Sequence, residues 1–164
     1  MLIQTITNAV AGEFDFDTIA DVFSRLIIKG RVRSSVSATS DSAYLFLNND
    51  TTVGNYHRQR IAANNGASAI TESADPAIFI TPGASSPAGA YASVHVVIEG
   101  YGSSVYIKTA FSRAEAYLSS GAIFTGTIAI ANSSITAVIT RLRFQADSHP
   151  TDGLLGTLRL YGES

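Results

Sequence analysis

The 164-residue sequence contains no cysteine and no tryptophan, and its single methionine is Met1. Without cysteine there is no disulfide, no thiol nucleophile and no thiolate ligand for zinc, so the core must be ordered by packing alone. That absence suits a reducing cytoplasm and an extracellular particle equally and fixes no compartment. Charge is also sparse: 15% of residues are charged, and 11 Lys and Arg against 13 Asp and Glu leave a formal net charge of −2. Such a balance creates no global field for nucleic acid, whose binders concentrate basic charge. No run approaches the roughly 20 consecutive apolar residues of a membrane-spanning helix. The N-terminal segment lacks the basic start of a secretory signal and carries Gln4 and Asn8 where an apolar stretch would be needed. Neither nucleic acid nor a membrane is therefore expected as a partner. The three histidines, His57, His95 and His149, lie in separate segments without the close spacing that sets two ligands on one face, so no metal or other cofactor is expected.

What the sequence does have is apolar content, 46%, in a length that buries about two-thirds of its unfolded surface in one core. Alternation with period two runs through it. Leu26, Ile28 and Val32 alternate with Arg25, Lys29, Arg31 and Arg33; Ala92, Val94, Val96 and Ile98 with Tyr91, Ser93, His95 and Glu99; Leu158 and Leu160 with Thr157, Arg159 and Tyr161. These are half-buried antiparallel strands. Residues 2–9, 12–16, 43–47, 55–62, 77–80, 105–111, 122–131 and 135–144 are further strands by their Ile, Val, Thr, Tyr and Phe content.

Turn residues separate the strands, at 48–50, 64–66, 82–83, 100–102, 119–121, 132–134 and 152–153, where Gly and Asn tolerate positive φ. Residues 17–23 have room for one helical turn, and 112–118 has some helix propensity in its Ala-Glu-Ala content, though neither sustains an independent helix. Residues 81–90, rich in Gly, Pro, Ser and Ala, read as an exposed, mobile loop. The pattern predicts an all-β fold: one domain over residues 1–164, an antiparallel two-sheet sandwich of jelly-roll type that manages its sheet edges with few unpaired strands. No helical crossover of the length a parallel sheet needs is present.

Chemistry-bearing patterns are weak. No serine sits in Gly-x-Ser-x-Gly, no glycine cluster continues into Gly-Lys-Ser/Thr, and Glu13, Asp15 and Asp17 share a face without a tryptophan platform for sugar. The chain is not expected to be an enzyme. Asn48, Asn49 and Asp50 offer oxygens of the kind calcium takes, against the plainer reading of an Asx turn. Arg25, Lys29, Arg31 and Arg33 form a basic stripe, and Arg58 with Arg60 and Arg141 with Arg143 repeat the i, i+2 pattern. Each pair is either a solvated strand face or a source of ion pairs to Asp15, Asp17 or Asp21 of a neighbouring subunit.

One resemblance stands out. Phe14-Asp15-Phe16, Ile19, Phe23, Leu26-Ile27-Ile28, Gly30-Arg31-Val32-Arg33-Ser34, Tyr44 to Asp50, and Asn55-Tyr56 with Arg60 resemble the pattern of small β-rich virion proteins of tailed bacteriophages. That pattern is Phe-x-Phe, Ile-Pro and an aromatic, Leu-x-Leu-x-Gly-x-x-Arg-Ser, a Phe-Asn-x-Asp turn and Asn-Tyr. The likeness covers roughly the first 60 residues and the Leu160-Tyr161-Gly162 terminus; Ala20 stands where the pattern has proline and Phe23 where it has tyrosine.

The resemblance implies a jelly-roll virion protein working as a homotrimer. Such a protein is either a capsid decoration (cement) protein, bound to the major capsid protein on the capsid exterior, or a tail-associated receptor-binding or carbohydrate-binding module. No shaft-like or coiled-coil segment is seen, which favours decoration. The seven tyrosines, Tyr101 and Tyr106 among them, and the loops 81–90 and 100–104 belong to the alternative, a host-surface glycan reader. For decoration, the apolar segment 1–11 is the candidate arm that adds a strand to a neighbour, its other reading being an ordinary first strand. The expected interface residues are Leu2, Ile3, Ile6, Arg31, Arg33, Arg58 and Arg60.

Overall fold

The structure, a computed structural model, describes residues 1–64, 67–119, 122–147 and 152–164. Strands β1 (Leu2–Gly12), β2 (Phe14–Phe16), β3 (Arg25–Ser34) and β4 (Ser40–Leu47) are followed by β5 (Tyr56–Asn64), β6 (Ala67–Ser73), β7 (Ala77–Pro82) and β8 (Ala92–Glu99). Then come β9 (Lys108–Ser119), β10 (Ala122–Asn132), β11 (Leu142–Ala146) and β12 (Leu154–Glu163). One 3₁₀ turn, Val53–Asn55, precedes β5. No helix among the described residues is long and apolar enough to cross a membrane.

Two antiparallel sheets pack as a sandwich within one domain, as the alternation predicts. The larger has eight strands in the order β1-β12-β3-β8-β9-β10-β5-β6, the smaller four in the order β2-β11-β4-β7. The chain passes repeatedly between them, so neighbours in sequence often lie on opposite layers. Leu26 and Ile28 of β3, Val94 and Val96 of β8, and Ile128 and Ile130 of β10 point inward and are buried. They meet Phe14, Phe16, Leu45, Phe79 and Phe144 of the small sheet, all fully buried. The Phe144 ring sits edge-on to Phe16 at 6.3 Å and stacked on Phe79 at 6.0 Å, geometries that favour aromatic pairs beyond the area they bury.

Several stretches differ from the sequence expectation, among them 105–107 of the 105–111 candidate, which precede β9. Residues 112–118 lie wholly inside β9, where Ser112, Ala114, Ala116 and Leu118 are buried and Arg113, Glu115 and Tyr117 exposed. Period-two burial overrides the helix propensity of Ala and Glu there. Residues 17–23 form no helical turn: Ile19 donates its amide to Thr140 O at 3.0 Å, and Val22 and Phe23 donate theirs to the Tyr101 hydroxyl. Only 142–144 of the 135–144 candidate is strand, where β11 begins. The preceding residues bond to loop atoms, Ile139 N to Tyr101 O for example. β6 was not anticipated, because its short, mostly small and polar side chains carry little apolar signal. It is held by its ladder to β5.

The 81–90 segment is the exposed loop its composition predicts only in part: Ala84, Ser85 and residues 87–89 are exposed. Thr81, Pro82, Gly83, Ser86 and Ala90 are buried. Thr81 donates to Val32 O at 2.9 Å, and the Ser86 hydroxyl lies against both Thr39 O and Leu118 O. Small side chains here allow close packing rather than freedom.

Candidate functional site

Because the small sheet covers only one side of the large one, the eight-stranded sheet leaves its other face open. Cross-strand register sorts that face into rows. Glu163, Arg25, Glu99 and Thr109 form one. Two residues along, Tyr161, Ile27, Val97, Phe111 and Ala129 align across five strands, with Leu2 opposite Tyr161 at the end. Two residues further, Arg159, Lys29, His95 and Arg113 align across four. The next row holds Thr157, Arg31, Ser93 and Glu115. Phe111 is 52% exposed, so a large ring stands in solvent at the middle of the face.

The charges on this face differ in company. Arg25 is paired with both Glu99 and Glu163, and Arg113 with Glu115 at 2.6 Å. Lys29, Arg31 and Arg159 form no ion pair among the described residues, and the undescribed residues include no Asp or Glu. Burial, and secondly Lys29 beside it, hold the His95 imidazole below its ordinary pKa. A shallow depression of about 380 Å³ lies between Arg31, Arg159, Tyr91 and Thr157. A larger trough of about 620 Å³ opens further along the sheet, over Ala129 and Ala131, with Thr109, His57, Gln59 and Glu72 around it.

The expected interface residues do not share one surface. Arg31 and Arg33 are on the open face. There Arg33 donates to Gly83 O at 2.9 Å and lies over the Tyr91 ring, its guanidinium carbon 5.9 Å from the centroid. Arg58 and Arg60 point the other way, on the side of β5 that also carries buried Tyr56 and Ala62. Arg58 is paired with Asp75 at 2.9 Å. Residues 2–12 pair with β12 of the same chain as the outermost strand of the large sheet. Ile3 and Ile6 pack against the core, while Leu2 is 51% exposed.

Other candidates have local duties. Asp15 takes a two-pronged contact from Arg141 of its own chain, whose hydrogen bond holds the carboxyl below its usual range. Asn48 and Asn49 adopt φ of 49° and 62°, reversing the chain so that Asp50 N reaches Leu47 O at 3.0 Å. The Asp50 carboxylate accepts from Asn132 Nδ2 at 2.8 Å, Asn55 Nδ2 at 2.9 Å and Thr52 N at 3.0 Å. This is the Asx-turn arrangement, with donors where a cation would need oxygen. Tyr101, expected on a binding loop, is fully buried: its hydroxyl donates to Ala20 O at 2.8 Å and accepts from two amides. Tyr106 is 72% exposed. His57 and His95 are on different strands, and His149 lies outside the described residues. No group of three or more His, Asp or Glu placed to hold a metal occurs among the described residues.

Sequence reasoning missed the row itself. Arg159 and His95 each read as the wet side of a strand and Arg113 falls in the stretch with helix propensity, but which strands adjoin is set by topology, not by any one segment. The class these observations define is a two-sheet antiparallel β-sandwich with one broad open face. Compared with family models, curated proteins and solved structures, the chain matches none.

Proposed function

We propose that the chain is a bacteriophage virion structural protein, a capsid decoration (cement) protein that binds the outer shell and stabilises the head. In this reading its partner is the major capsid protein, its working unit is a homotrimer, and it acts by binding alone, without catalysis or a cofactor. The supporting observation is the open face: an apolar row carrying half-exposed Phe111 beside a row with three cations, two of which, Lys29 and Arg159, have no ion-pair partner among the described residues. An apolar centre edged by polar and charged groups is the make-up of a protein-binding patch. Modest contacts repeated on neighbouring shell subunits sum to useful affinity through multivalency.

Cryo-electron microscopy of the parent particle tests this. Density of this sandwich on the head, with heads that fracture under less stress when the protein is removed, is the expected result. Density at the tail overturns it. The trough among His57, Gln59, Glu72 and Thr109 favours the second reading, a tail-associated carbohydrate-binding module, because it sets polar side chains around a floor of small ones. Retention on host surface polysaccharide, lost on Gln59→Ala, is what that reading predicts.

A further inference from the structure

We propose that the open face of the eight-stranded sheet docks a carboxylate-bearing protein surface, with Lys29, Arg31 and Arg159 as its cationic contacts and the Tyr161-Ile27-Val97-Phe111 row as its apolar centre. The proposal rests on the decoration reading only for where the partner is found. It adds which face binds and what chemistry it meets.

Like charges directly opposite on adjacent strands destabilise a sheet. Here Arg159 is directly opposite Lys29, and the row continues through His95 to Arg113 with no carboxylate in it. The same face does neutralise cations elsewhere: Arg25 has two glutamates and Arg113 has one. Lys29, Arg31 and Arg159 are thus a local excess of positive charge in a chain whose net charge is −2. Arg31 and Arg159 also line the same depression, together with Tyr91 and Thr157. Arginine's planar fork suits a carboxylate set there.

The neighbouring row decides the class of partner. One step along each strand, about 7 Å, the side chains change from cations to Tyr161, Ile27, Val97 and Phe111. A phosphodiester or sulfated chain has no apolar groups to set against such a stripe. A protein surface with apolar residues flanked by Asp or Glu complements both rows.

Two measurements separate this proposal from the decoration reading. The first is an NMR titration of the full chain with poly-L-glutamate, heparin and duplex DNA as separate probes. Expected are salt-sensitive shifts from poly-L-glutamate at Lys29, Arg31, Ser93 and Arg159, and affinity reduced about tenfold or more in Lys29→Gln/Arg31→Gln/Arg159→Gln. The variant must keep the wild-type β spectrum and thermal midpoint, as surface changes should. Shifts elsewhere, no binding, or tighter binding of heparin or DNA overturns the carboxylate assignment. The second is cosedimentation with undecorated heads of the parent particle, adding Phe111→Ser. Wild-type binding weakened by both variants supports both proposals, and wild-type binding unchanged in either variant overturns this one alone. No wild-type binding to heads overturns the decoration reading and leaves the face to be judged by the first measurement.

Discussion

Lys29 of β3 stands directly opposite His95 of β8, and Arg113 of β9 stands opposite His95 on its other side. The imidazole is therefore flanked by two cations within a ladder that holds them in register. A proton added to it would be a fourth positive charge in the row, after Arg159, Lys29 and Arg113, and partial burial opposes it further. His95 serves this surface as a neutral polar group at neutral pH.

His95 should accordingly titrate below 6.5, the ordinary value from which burial first and Lys29 second depress it. The unfolded chain then binds this proton more readily than the folded one. Stability linked to His95 is full above 6.5 and declines as the pH falls through the folded-state value. An NMR titration of the His95 ring should show the low midpoint. Lys29→Met should recover only the smaller part of the depression, since burial remains. His95→Gln should flatten this part of the acid dependence of the melting temperature; an unchanged profile would disprove the linkage.

Tyr101→Phe should loosen the segment before β3. The hydroxyl donates to Ala20 O and accepts from Val22 N at 3.2 Å and Phe23 N at 2.9 Å. Its removal leaves those groups without their partner while the buried ring stays in place. A loss of about 1–3 kcal/mol is expected, with faster hydrogen exchange at Val22 and Phe23. If exchange there is unaltered, something other than Tyr101 holds the segment.

Much of the sandwich is readable from side-chain alternation, because β3, β8 and β12 each bury one face, and a one-residue slip would turn every apolar group to solvent. β9 is less legible: its alternation is written in Ala and Ser against Arg and Glu, a pattern that also favours helix. β6 has almost no apolar face to announce it. The basic row was least legible, since Arg159 and Lys29 are 130 residues apart in sequence yet adjacent in the ladder. The same limit explains Arg58 and Arg60. Their i, i+2 spacing matches that of Arg31 and Arg33, but nothing local says that β5 turns them to the opposite side of the sheet.

Asp50→Ala should destabilise the fold through lost hydrogen bonds, not through a lost cation. Burial alone would raise the Asp50 pKa, but the donors Asn132, Asn55 and Thr52 outweigh it and hold the carboxyl below 3.8. Its contribution is present above 3.8 and lost as the pH falls through the folded-state value. Asn132 is fully buried, so the substitution strands its amide at a cost of about 1–3 kcal/mol. Millimolar calcium should leave the wild-type melting temperature unchanged, because the carboxylate already has its donors. A rise with calcium would show that the turn rearranges to bind it.

Ala114→Leu distinguishes the strand from the helix that its local sequence also favours. Ala114 is 1% exposed on the inner face of β9, directly opposite Val94 of β8 and Gly126 of β10. Leucine there must push into the layer formed by the small sheet, at an expected cost of about 1–3 kcal/mol. Leucine at Thr125, exposed on the other face of β10, should change stability by no more than about 0.5 kcal/mol. Were helix propensity to govern residues 112–118, leucine would be nearly as acceptable as alanine at 114. Equal denaturation midpoints for the two variants would therefore mean that Ala114 does not face the second sheet.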